Sequence, residues 1–72
     1  MIVKCPCCQS HVHLERLGPH IKNFCPFTQK TDEARDAALV KFEASKVFIN
    51  ALEHGEINVD EFQLQINEVF NQ

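Results

Sequence analysis

Four residues limit what this chain can fold into: Cys5, Cys8, His20 and Cys25, in the spacing C-x2-C-x11-H-x4-C. Zinc takes four tetrahedral donors, commonly as two pairs from two local turns. A C-x2-C knuckle turns tightly enough to place both thiolates on one ion. A His and a Cys five apart on a helix sit about one turn apart on one face. The eleven intervening residues suffice for a strand and the start of a helix. A chain of 72 residues buries only about 60% of its unfolded surface, so folds of this size usually need a metal, a disulfide or a partner subunit. One zinc per chain, held by Cys5, Cys8, His20 and Cys25, is therefore expected. A closed four-donor set leaves no position for water, which makes the ion structural.

Other uses of these residues are weaker. Cys7 competes with its neighbours as a ligand, and His11 and His13 are alternative nitrogen donors, otherwise exposed polar residues in a hairpin. Two disulfides are disfavoured without a secretory signal, and pairing of adjacent Cys7 and Cys8 would be strained. The start Met1-Ile2-Val3-Lys4-Cys5 has no apolar h-region of a secretory signal, so a reducing, cytoplasmic setting is expected. A nucleophilic Cys7 would need a substrate cleft, for which this length leaves little room.

The apolar residues between the ligands fit the same pattern. Val3 lies two before Cys5, Val12 four after Cys8 and Leu17 three before His20. Over residues 3–25, about a third of the chain, the segment resembles the ββα zinc finger in its variant with Cys as last ligand. The family usually has an aromatic where Val12 stands and one more residue before the Leu. The resemblance implies Cys5 and Cys8 on a β-hairpin, then His20 and Cys25 on a helix. Gly18-Pro19 departs from it, because proline is excluded from helix interiors but suits the first helical position. The ligand helix is therefore expected from Pro19 to about Phe24, stopped by Pro26. So short a helix offers little surface for reading DNA bases.

Residues 31–72 read as a helical hairpin. Thr31 is a good N-cap, followed by Asp32 and Glu33 at the positive helix end. No Pro or Gly interrupts the chain from Asp32 to His54, and Gly55 suits the left-handed C′ position. One long helix over 31–54 is expected. Ala37, Val40, Ala44, Val47, Phe48 and Ala51 fill one sector, and Ala34, Ala38, Phe42, Ile49 and Leu52 the adjoining one. An arc this wide exceeds a single stripe, which predicts cover from two directions. The last helix, 58–71, has Asn58 and Glu61 at capping-box spacing and Ile57 and Phe62 as a staple. Phe62, Ile66, Val69 and Phe70 share a face, and Leu64 points away. Gly55, Ile57 and Glu61 also match parts of a calcium loop, but Asn50, Leu52 and His54 supply almost no hard oxygen ligands there. The fold class expected is small α+β, mainly α, in a single domain over 1–72: a zinc-finger-like unit (1–30) packed on a two-helix hairpin.

Charge separates the two parts. Residues 1–30 carry Lys4, Arg16, Lys22 and Lys30 against Glu15, whereas residues 31–72 carry nine acids against Arg35, Lys41 and Lys46. No Ser/His/Asp set, phosphate-cradling glycine loop or plausible carboxylate pair points to an enzyme, and no apolar run approaches the roughly 18 residues of a membrane span. The expectation is a non-enzymatic binding module, a small regulator or inhibitor that docks on another protein, with Glu43 and Glu53 on its polar helical face. The alternative is a nucleic-acid binder working through Arg16 and Lys22. Three thiolates and a neutral His lower the basic segment from +3 to about +2, thin for a DNA reader. Homodimerisation through the hairpin is left open by the sequence.

Overall fold

The computed structural model describes residues 1–71. It is a small, mainly α fold of α+β class. Strands β1 (Ile2–Lys4) and β2 (His11–His13) pair antiparallel, with Val3 opposite Val12. Three helices follow the first helical segment: α2 (Asp32–Ala44), α3 (Lys46–Glu53) and α4 (Val59–Phe70).

The first helical segment starts earlier than expected. Leu14–Arg16 form a 3-10 turn, Leu17–Pro19 an α turn (α1) and His20–Phe24 a wider π turn. Pro19 thus lies inside a helical run. It is tolerated because it falls in the first α turn, where amides have no intrahelical acceptor to lose. Leu14, Leu17 and Ile21 turn inward from this run. The end of the π turn is sealed by Thr28, whose buried hydroxyl donates to the carbonyls of Ile21 (2.6 Å) and Cys25 (3.2 Å). The Gln29 side-chain amide donates to the Lys22 carbonyl at 2.7 Å. Pro26 acts as expected, since Cys25 before it is extended (φ −73°, ψ 119°).

The expected single helix over 31–54 is interrupted at Ser45. This buried residue has ψ −6°, and its hydroxyl donates back to the Lys41 carbonyl at 2.9 Å. Such back-bonding competes with regular helix geometry and bends it. The run begins as read: the Thr31 hydroxyl accepts from the Ala34 amide at 3.0 Å. It ends in a Schellman motif, with Gly55 at φ 76°, its amide on the Leu52 carbonyl and the Glu56 amide on that of Ala51. Asn58 then caps α4, its side-chain oxygen accepting from the Glu61 amide at 2.8 Å. The Glu61 carboxylate accepts from Gln65.

One core joins the two parts. Val3, Cys5, Leu14, Leu17, Ile21 and Cys25 from the N-terminal unit pack in a cluster with Ala38, Leu52, Phe62 and Ile66. Val69 and Phe70 complete the apolar face of α4 at half-burial, while Leu64 is 64% exposed on the opposite side. Gln63 ties α4 to β1: its amide oxygen accepts from the Lys4 amide at 2.6 Å and its NH2 donates to the Lys4 carbonyl at 3.2 Å. Gly18 makes the approach of the ligand segment to α2 possible, because a Cβ there would meet the Phe42 ring at 3.2 Å.

The two expected covers are present, since the ligand-bearing segment and α4 both contact α2, and α4 also contacts α3. They leave part of the apolar arc open. The sector with Ala38 and Leu52 is buried, and Phe48 and Ala51 are half-buried, but Val40 is 70% and Val47 61% exposed, and Ala37 and Ala44 are exposed with them.

Three variants test these local assignments in thermal melts at fixed metal loading. Thr28→Val leaves the buried Ile21 carbonyl without its closest donor and should cost about 1–3 kcal/mol. Asn58→Ala should cost about 1 kcal/mol through the lost cap, and Gly55→Ala about 1–2 kcal/mol because a Cβ is disfavoured at positive φ. Unchanged melting in these variants would contradict the capping and sealing roles.

Candidate metal centre

The knuckle is built from Cys5 to Ser10. The Cys5 amide donates to the Ser10 carbonyl and the Gln9 amide to the Cys5 carbonyl, both at 2.9 Å. Closing so tight a loop puts Gln9 at φ 64°, the left-handed region where a side chain is strained. Both Cys5 and Cys8 are thereby held on the inner side of the turn.

The second donor pair depends on the π turn. In a regular α-helix, residues five apart are separated by about 140° around the axis. A π turn has about 4.4 residues per turn, which reduces the offset to about 50°. Cys25 is not on the helix as expected but is the extended residue that closes this wider turn, and its amide on the His20 carbonyl at 2.7 Å brings the two donors to one side. The sequence carried the H-x4-C spacing but not the change of pitch it requires.

The structure brings all four predicted donors together: one atom from each of Cys5, Cys8, His20 and Cys25 lies within 4.8 Å of every other. Cys5 Sγ and Cys25 Sγ are 3.9 Å apart, and Cys8 Sγ and His20 Nε2 are 3.4 Å apart. With zinc–sulfur bonds of about 2.3 Å and zinc–nitrogen bonds of about 2.0 Å, a tetrahedron has sulfur–sulfur edges of about 3.8 Å and sulfur–nitrogen edges of about 3.5 Å. The two measured edges match. Cys5 and Cys25 are fully buried, and Cys8 and His20 half-buried. These four residues could hold a metal ion, and their soft sulfur and borderline nitrogen donors fit zinc chemistry rather than magnesium or calcium.

Protonation at the cluster is controlled locally. The Cys5 thiol is pushed up by its hydrogen bond with Cys7 and by burial, and Cys7 is correspondingly lowered by Cys5. The backbone amides of Cys8 and Cys7 act the other way and favour its thiolate. The equivalent amides at Cys25 come from Thr28 and Phe27, against a burial that raises that thiol. Burial also opposes Cys8 ionisation, but hydrogen bonds from Ser10 and His20 outweigh it and lower the thiol. Cys7 touches the cluster without belonging to the group of four, and the exposed His11 and His13 also lie outside it.

The other candidate residues do not converge on one site. Arg16 borders a recess with His11, His13, Pro19, His20 and the 72% exposed Phe24. Lys22 and Glu43 border another together, and Glu53 a third beside Gly18 and Phe42. Glu43 pairs with Lys46 at 3.1 Å on the surface. Among the described residues no helix is long and apolar enough to cross a membrane. Comparison with family models, with curated proteins and with solved structures gives no match.

Metal analysis of purified variants separates donors from neighbours. Cys8→Ser should lose most bound zinc, whereas Cys7→Ser should keep about one ion per chain. Because binding and folding of such sites are coupled, a chelator should abolish the ordered amide signals of residues 1–25. Equal zinc in the two variants would overturn the donor assignment.

Proposed function

We propose that this chain is a non-enzymatic binding module, stapled by one structural zinc on Cys5, Cys8, His20 and Cys25, that docks on another protein as a small regulator or inhibitor. One observation carries the docking reading: the outer face of α2 and α3 leaves Val40 and Val47 mostly exposed, with Ala37 and Ala44 beside them. An apolar face on a domain this small is a docking surface by preference, since monomers rarely expose contiguous apolar area without a use for it. The closed donor set supports a structural ion, with no free position at which to activate water. The acidic helical half adds steering towards basic partners.

A nucleic-acid reading has its own observation, the recess bordered by His11, His13, Arg16 and Phe24. A guanidinium, imidazoles and an exposed ring suit phosphates and a stacked base. Its basic charge remains slight beside that of the acidic half.

Site-specific photo-cross-linking distinguishes the two. A photoreactive residue at position 47 should give protein adducts that survive nuclease, while one at position 16 should give none. Adducts at position 16 alone, lost on nuclease treatment, would overturn the protein-docking reading.

A further inference from the structure

The exposed face of α2 and α3 has a more specific pattern than general apolarity. Its residues are Ala37, Val40, Ala44 and Val47, all exposed, with the half-buried Ala51 at its end. The intervals are three, four, three and four, the spacing of a seam between two helices rather than of a broad core stripe. The step at Ser45 tightens the turn: the Ser45 amide reaches the carbonyls of both Lys41 and Phe42 at 3.0 Å, and the Ser45 carbonyl accepts from Phe48 at 3.0 Å and Ile49 at 3.2 Å. Val40 and Val47, on either side of this step, are both exposed.

Size and charge narrow the occupant. Alanine on either side of each valine keeps the surface shallow, so the opposing helix must supply the bulk, as Leu, Met or Phe. From Ala37 to Ala51 the seam runs about 21 Å at 1.5 Å per residue, which is two heptads. Glu33 stands on the same line one turn before it, and Asp32, Asp36 and Glu43 border one edge. Arg35 lies 3.4 Å from Asp32 and 3.8 Å from Asp36, and Lys46 lies 3.1 Å from Glu43. These exposed pairs leave the half of the molecule with nine acids against three bases. A second copy of this chain would set one acidic face against another. With Glu33, Asp32, Asp36 and Glu43 against Arg35 and Lys46, this face keeps a net negative charge, which a basic helix would complement.

Resting on the docking reading above, we infer that the seam receives a basic amphipathic helix of another protein. That helix carries large apolar side chains at three- and four-residue intervals, with Lys or Arg on the flank that meets Asp32, Asp36 and Glu43.

Fluorescence anisotropy on the zinc-loaded protein tests this with two synthetic peptides of about 18 residues. Both carry Leu at the seam spacing; one has Lys flanks, the other Glu flanks. The Lys peptide should bind at least about tenfold more tightly at low salt, with the gap narrowing as salt screens the flanks. A Val40→Asp/Val47→Asp variant should lose at least about tenfold of that binding with helicity and metal content retained. An Asp36→Lys/Glu43→Lys variant should reverse the peptide preference. Leu64→Asp, on α4, should change nothing. Equal binding of the two peptides, or no loss in the valine variant, overturns the inference. If neither peptide binds but sedimentation shows dimers that the valine variant abolishes, the occupant is a second copy: the basic helix is wrong while docking through this face stands. If neither peptide binds and the chain stays monomeric, the basic helix is again wrong, and the cross-linking at position 47 decides separately whether the face docks on protein.

Discussion

A tetrahedral cage of three sulfurs and one nitrogen has fixed edge lengths, and most of the N-terminal half is arranged to meet them. The knuckle accepts a left-handed Gln9 to bring Cys5 and Cys8 inward. The helix widens to a π turn so that His20 and Cys25 face the same point. Neither distortion is favourable alone: strained φ values and irregular helix pitch persist where the surroundings over-determine them. Thiols are also poor neighbours when ionised together, and a divalent cation is what turns that repulsion into attraction. The nearby backbone amides of Cys8 and Cys7 at Cys5, and of Thr28 and Phe27 at Cys25, also favour the thiolates. Val3, Leu14, Leu17 and Ile21 form one side of the core in the same cluster as Cys5 and Cys25.

That core explains how a chain so small is organised. The metal cluster fixes one wall, and Phe62 and Ile66 of α4 bring the other. Between them lies the inner sector of α2 and α3. The charge division follows the same line: bases belong mostly to the stapled unit and acids to the helices. Lys22 and Glu43 border one recess, so the two halves meet with opposite signs.

What the sequence disclosed is what local chemistry determines. Cysteine and histidine spacing identified the four donors, because few other arrangements of such residues make sense at that interval. Thr31, Gly55 and Asn58 marked helix ends, because each carries a terminus-specific hydrogen bond or dihedral. What stayed hidden depends on context. Ser45 is an ordinary helix residue until burial directs its hydroxyl back to Lys41. Pro19 argued for a helix start, yet the run begins at Leu14 because a 3-10 turn can precede the α turn without using the missing amide. The width of the apolar arc on α2 and α3 was plain, but not that both available covers together would leave Val40 and Val47 open. Periodicity reports how much of a helix is apolar; it does not report how many neighbours arrive.

Gln63 has a consequence for how the molecule keeps to itself. A two-stranded hairpin has outward-facing amides and carbonyls, a template on which any extended chain can add a strand. The side-chain amide of glutamine presents one acceptor and one donor in the arrangement of a peptide group, and Gln63 uses both on Lys4. A helix thus lends the hairpin one rung of a third strand from a single side chain. At Lys4 the outer edge of β1 is thereby already paired, so an added strand would have to displace Gln63 there.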